Sequence, residues 1–189
     1  VILAYKDIEN AMADGDIIIT PYDADSMGTN SYDVHLARKL VTYHVPRCST
    51  VILDCKQKPE TFNYIIPDEG LVLWPGTLYL AATQEYTETR KHVPYLDGKS
   101  SIGRLGIFIH TTAGRGDIGF CGHWTMEISV IHPVRVYAGM PIGQLTFHAS
   151  SSQPEIDYAN KKSQKYTAYF RSEDPIPTAS RMYLNFKDK

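Results

Sequence analysis

The feature that most limits how this chain can fold is the brevity of its β-rich runs. Downstream of Gly15 the sequence is a series of short apolar or alternating stretches, each broken by Gly, Pro, Asn or Asp. The runs are Ser31–Leu36, Val51–Asp54, Thr77–Thr83, Gly106–Thr111, Thr125–Ile131, Val134–Tyr137 and Gln144–Phe147. Pro75-Gly76 and Gly139-Met140-Pro141 mark turns between them. Strands this short and this frequent predict a mainly β fold, a mostly antiparallel barrel or sandwich with little helix. One helix is predicted near the start, over Asp7–Ala13. Asp7 can cap it, Ile8 and Met12 fall four apart on one face, and Gly15 can end it.

A chain of 189 residues suits one domain, residues 1–189, with a real buried core. Hydrophobic residues at 43% and charged residues at 21% are ordinary for a soluble globular protein. The net charge of -2 gives no electrostatic case for binding a nucleic-acid backbone. A small anion remains compatible, because local cation clusters can hold phosphates within a neutral protein. Ile17–Ile19 and Ile107–Ile109 are far too short to cross a bilayer. Val1–Tyr5 lacks the basic and apolar regions of a signal peptide. Cys48, Cys55 and Cys121 are odd in number and loosely spaced, so reduced thiols and a cytoplasmic location are expected. From about residue 150 the chain turns polar and mixes Lys161, Lys162, Lys165 and Arg171 with Tyr158, Tyr166 and Tyr169. That composition suits a mobile C-terminal arm, either a solvated tail or a carrier of cations and rings to a ligand.

Two stretches carry chemistry. In Leu96–Gly106, Gly98 and Gly103 flank Lys99, Ser100 and Ser101, and Arg104 follows directly. Glycines permit close backbone approach, while hydroxyls and cations donate to phosphate oxygens. In Thr112–Gly122, four glycines hold a single carboxylate, Asp117. A strand-like run follows. If Met126, Ile128 and Val130 face one side, then Thr125, Glu127 and Ser129 face the other, toward a pocket or toward solvent.

The ordered series Asp97-Gly98-Lys99-Ser100-Ser101, Gly103-Arg104-Leu105-Gly106, Ala113-Gly114, Asp117, Gly119-Phe120, Gly122 and Glu127 resembles the signature of dCTP deaminases. Gly139–Leu145 resembles the next block of that family, Asn30–Leu36 its N-terminal strand motif, and Ile2–Pro21 its opening helix and strand. The resemblance covers nearly the whole chain. It implies a distorted antiparallel β barrel of the dUTPase-like type with a short N-terminal helix and a closing C-terminal arm. It also implies a homotrimer with sites between subunits, and dCTP and dUTP as ligands.

By position, the resemblance makes Glu127 the proton-shuttling carboxylate. Ser100 and Arg104 place water, base and phosphates, and Asp117 lies beside the deoxyribose. Lys99, Ser101, Ile102, Gly103, Thr125, Met126, Gln144, Tyr158 and Lys165 fall at nucleotide-contact positions. Deamination needs water to attack C4 of cytosine, a proton on the ring nitrogen and a proton on the leaving ammonia. A carboxylate in a partly dry pocket can take and return that proton. The resemblance implies no metal held directly by the protein; magnesium arrives on the triphosphate. Zinc deaminases carry His-x-Glu and Pro-Cys-x-x-Cys patterns, and neither occurs here. His110 reads as a pocket-wall residue, and His123 and His132 as strand or turn residues.

Three positions depart from the family pattern. Ile118 stands where Pro is usual, Gly116 where an apolar residue is usual, and Tyr169 where Gln is frequent. Gly116 predicts a more flexible loop. Gly114 and Gln144 resemble relatives that also cleave the triphosphate and release dUMP and pyrophosphate. Arg115 resembles relatives that stop at dUTP. The reading taken is the bifunctional one. A plain dUTPase would be expected to close with a glycine-rich motif, yet Tyr166–Arg171 has no glycine. A non-catalytic nucleotide-binding regulator would have no need of Glu127.

Overall fold

In the computed structural model, Ala4 is extended and its N–H is accepted by Asp7 Oδ2 at 3.2 Å, so helix α1 spans Tyr5–Ala13. Asp7 is therefore not the cap expected from the sequence. It sits inside the first turn and reaches back to the chain entering the helix. Ile8 and Ala11 are buried on the inner face, Met12 packs partly against the core, and Gly15 leaves the helix at a φ of 74°. The structure describes residues 1–45, 51–166 and 172–186. Cys48, Tyr169 and Arg171 lie outside them.

Among the described residues ten strands follow: β1 Ile17–Thr20, β2 Tyr32–Tyr43, β3 Thr61–Ile65, β4 Leu71–Leu73, β5 Tyr79–Thr89, β6 His92–Gly98, β7 Ile107–Phe108, β8 Cys121–Val130, β9 Val134–Val136 and β10 Pro141–Ala149. A second short helix, α2, covers Ser100–Arg104 between β6 and β7. The main sheet runs β6-β10-β2-β5-β8-β7, with β1 added on β5 and β3 on β2; β4 and β9 form a separate antiparallel pair. All the strand pairings are antiparallel, and the sheet curls into a nearly closed barrel. Its interior is filled by Tyr32, Leu36, Leu40, Met126, Ile128, Leu145 and Phe147. Among the described residues, no helix is long and apolar enough to cross a membrane.

Several runs end up differently from their propensity. Val51–Asp54 is not a strand; it is exposed, with Ile52 at 87%. Among the described residues it pairs with no strand, and β propensity counts only where a paired strand exists. Gly106–Thr111 pairs over Ile107–Phe108 alone, against Val130 and Ser129. β3 has hardly any buried face, so no alternation announces it. β6 was hidden by its Pro and its terminal Asp-Gly, yet it pairs with β10 along its whole length, from His92↔Ala149 to Gly98↔Gly143.

Candidate active site

β8 alternates as its sequence requires: Met126, Ile128 and Val130 are buried, while Thr125, Glu127 and Ser129 are only half-buried on the other face. β5 fixes the register, pairing Leu80 with Glu127 and Ala82 with Thr125. The segment after β7 closes on the same strand. The Glu127 N–H donates to the Ile109 carbonyl at 2.8 Å, and the Thr111 N–H donates to Glu127 Oε2 at 3.0 Å. Thr125 and Glu127 thus form one wall of a cavity of about 350 Å³, with Asp117, Phe120, Trp124 and Tyr158 among its other lining residues.

Asp117 is carried by a loop that backbone contacts hold in place. The Leu96 N–H donates to Gly114 O at 2.7 Å, Gly116 N–H to Pro94 O at 2.9 Å and Phe120 N–H to Asp117 O at 3.1 Å. Gly119 turns the chain at a φ of 86°, where a Cβ would also lie only 2.6 Å from Asp157 Cβ. That close approach lets the Tyr158 N–H reach the Ile118 carbonyl at 2.8 Å, tying the start of the arm to the Asp117 loop. Ile118 itself is buried. The loop is therefore no hinge at Gly116, contrary to the flexibility expected there: the residue is half-buried, its N–H is paired, and its φ is not positive.

A second polar group lies across β2, β10 and β6. Gln144 pairs in register with Asp33 on one side and Asp97 on the other, which brings their side chains to one face. Gln144 Nε2 donates to Asp33 Oδ1 at 2.9 Å, and the Lys99 ammonium pairs with Asp33 Oδ2. Ile102 is buried and anchors α2, leaving Ser100, Ser101, Gly103 and Arg104 exposed. None of these residues lines the Glu127 cavity. One chain therefore carries two half-sets of candidate residues, of which only one lines this cavity.

These elements meet a family model described as dCTP deaminase-like, which matches residues 2–150. The chain belongs to the dCTP deaminase-like family. A relative from Cytophaga hutchinsonii named "dCTP deaminase, dUMP-forming" is 48% identical over 151 residues, covering 80% of this chain and 82% of the relative. One of the same name from Clostridium acetobutylicum is 45% identical over 165 residues, covering 87% and 90%. The solved 2′-deoxycytidine 5′-triphosphate deaminase from Agrobacterium tumefaciens shares the fold at a TM-score of 0.61 and 21% identity. That match covers 79% of this chain and 48% of the other, so this chain spans about half the length of that solved one.

Set against this dCTP deaminase-like frame, the predicted site residues divide clearly. Glu127, Thr125, Asp117 and Tyr158 share the cavity, whereas Lys99, Ser100, Ser101, Gly103, Arg104 and Gln144 belong to the other cluster. The side chains of Ile102 and Met126 point into the core, so any ligand contact there falls to their backbone. Lys165 is not itself in the cavity lining: its ammonium pairs with Asn185 Oδ1, while its N–H lies 3.5 Å from the hydroxyl of the lining residue Tyr158. His110 is not on the cavity wall either; its Nε2 lies 3.4 Å from Asp97, and its buried Nδ1 has no partner. His123 does line the cavity, held by the Thr83 carbonyl at 3.0 Å, and burial lowers its pKa. Cys121 is buried, which pushes its thiol up, and Cys55 is exposed.

Sequence reasoning missed Asp33 as the partner of Lys99, Thr111 as the donor to Glu127, and Trp124 as a cavity wall. It also missed that the arm has buried points: Pro175 and Pro177 are buried, and the Thr178 N–H donates to Thr125 Oγ1 at 3.0 Å. Asn30–Leu36 had been recognised as a motif, but nothing local to it signals a lysine 66 residues away.

Proposed function

We propose that this protein deaminates dCTP by a zinc-independent hydrolysis and also cleaves the triphosphate, giving dUMP, pyrophosphate and ammonia. The observation that carries this reading is the Glu127 carboxylate, oriented by the Thr111 N–H and facing a cavity it shares with Thr125 and Asp117. The relatives named "dCTP deaminase, dUMP-forming" support the same reaction. In it, Glu127 takes a proton from water as the oxygen attacks C4 of cytosine and delivers it to N3. The proton of the new C4 hydroxyl then passes through Glu127 to the amino group, which leaves as ammonia as the carbonyl of uracil forms, and a second water attacks the α-phosphorus to release pyrophosphate. Asp117 lies beside the deoxyribose, and the aromatic walls exclude bulk water.

The separation of the two half-sets supports a homotrimer in which Ser100 and Arg104 of one subunit complete the Glu127 cavity of the next. Lys99, Ser101 and Gln144 would then meet the phosphates. The Asp33 carboxylate is already held by Lys99 and Gln144, and among the described residues no group of three or more His, Cys, Asp or Glu could hold a cation. A magnesium ion would come bound to the triphosphate and would neutralise charge on its oxygens, with Lys99, Ser101 and Gln144 holding the phosphates. The chain acts as a single domain over 1–189, in the cytoplasm, with about 150–189 as a C-terminal closing arm. Arg115, on the cavity wall, favours a second reading in which the enzyme stops at dUTP. Incubation with dCTP and magnesium, followed by chromatography of the nucleotides, separates dUMP from dUTP. Unchanged dCTP would refute both readings.

A further inference from the structure

Gly116 is a glycine for lack of room. A Cβ built on it would lie 2.6 Å from Trp124 Cη2, 3.0 Å from Pro94 Cγ and 3.2 Å from Trp124 Cζ2. Its φ is not positive, so its backbone would accept other residues; the indole would not. The indole is also fixed. Trp124 Nε1 donates to Thr87 Oγ1 at 3.0 Å, and the Trp124 N–H donates to Thr83 Oγ1 at 3.0 Å, both acceptors being buried. The Phe120 ring packs against it at 5.1 Å with a 54° tilt. The space beside Gly116 is filled from β8 by Trp124.

We propose that Gly116 and Trp124 form one volume-matched packing unit that positions Asp117 against the sugar and thereby sets the preference for a deoxynucleotide. The inference rests on the deaminase reading above. Asp117 follows Gly116 directly, and both line the Glu127 cavity together with Trp124. On one side the loop is tied to β6 through Gly116 N–H and Pro94 O at 2.9 Å, and on the other it lies on the indole. Close packing transmits a change in the wall to the loop, because there is no slack to absorb it. A thicker residue at Gly116, or a thinner one at Trp124, therefore displaces the carboxylate by a fraction of an ångström to an ångström. Gly116 and Trp124 act through Asp117; they are positioning residues.

The test uses the full chain as wild type, Gly116→Val, Trp124→Val and the double variant. kcat and KM are measured on dCTP and on CTP, and Tm on each protein. Each single variant should lose on the order of 100-fold in kcat/KM for dCTP, the usual effect of ~1 Å misplacement at a reacting group. The loss for CTP should be smaller, so the dCTP/CTP ratio narrows. The double variant should recover to within about tenfold of wild type and regain the ratio. Additive losses, or a ratio unchanged in all four proteins, would overturn the proposal. If Gly116→Val does not fold, Gly116→Ala makes the same measurement, since its Cβ alone meets the indole. A wild type inactive on dCTP would refute the functional reading instead. The non-additivity of Tm in the same four proteins would still test the packing unit.

Discussion

The backbone N–H of Thr111 donates to Glu127 Oε2 at 3.0 Å, while the Glu127 N–H returns to the Ile109 carbonyl at 2.8 Å. The two bonds lock the segment after β7 to the middle of β8 and fix one carboxylate oxygen. Among the described residues nothing donates to the other oxygen, Oε1. A carboxylate held this way keeps its orientation while a proton comes and goes, which is what a group alternating between base and acid requires.

Glu127→Gln keeps the shape and can no longer take a proton from water. Deamination of dCTP should fall by at least ~100-fold, the lower end of what general acid-base catalysis supplies. Nucleotide binding, followed by calorimetry, should persist. Wild-type turnover by this variant would remove Glu127 from the reaction.

The face of β8 was legible in the sequence because a period-2 pattern needs no partner to be read. Met126, Ile128 and Val130 announce a buried side, so Glu127 had to lie on the other. The Lys99–Asp33–Gln144 group was not legible, because it depends on the register of β10 with β2, set by residues 111 apart. The helix α2 was hidden as well. Serines and a glycine are poor helix formers, and its single turn is anchored by the burial of Ile102. Val51–Asp54 erred the other way, since its composition promises a strand and no described strand pairs with it.

Subunit mixing tests the two half-sets. Ser100→Ala and Glu127→Gln proteins should each be inactive. When unfolded together and refolded in equal amounts, random assembly gives a complete site at about a quarter of the interfaces. The mixture should therefore recover roughly a quarter of wild-type activity. No recovery, or an active monomer by light scattering, would contradict a shared site.

Metal dependence separates two chemistries. A zinc-selective chelator should leave dCTP turnover intact when magnesium is present, whereas removing magnesium should abolish it until the ion is restored. Stoichiometric zinc in the purified active protein would sink the zinc-free mechanism.

Thermal stability should fall on acidification. Burial lowers the pKa of His123 and of His92 below the ordinary 6.5. His123 faces the Thr83 carbonyl, Glu85, the Tyr86 ring and the Ser172 N–H; His92 has a buried Nδ1 without a partner and lies near Asp16 and Lys91. Above 6.5 both are neutral in the folded and unfolded chains. As the pH drops below that value the unfolded chain binds protons that the fold still refuses, so stability is lost toward the lower folded pKa values. Tm measured from about pH 8 to about pH 5 should decline, and His123→Gln should flatten part of the decline. An identical slope in the variant would exclude His123 as a source.

The arm offers the last test. Pro175 and Pro177 are buried, Asp174 pairs with Lys39 at 2.7 Å, and the Ser180 N–H donates to the Tyr43 hydroxyl at 3.0 Å. Thr178 meanwhile occupies Thr125 Oγ1 beside Glu127. The ten described strands lie upstream, so deleting everything after Gln164 should leave a folded barrel. It should also open the cavity to water, because Tyr166, Thr178 and Ser180 line it. Exclusion of water strengthens each polar contact at the reacting centre, and its loss should raise KM and lower kcat, together on the order of 100-fold. A nucleotide in the cavity should in turn protect the arm from protease, since closure is a step that ligand favours. Limited proteolysis with and without a non-hydrolysable dUTP analogue, set beside the activity of the truncated chain, measures both effects. Equal cleavage in the two conditions together with full activity after truncation would reduce the arm to a passive tail.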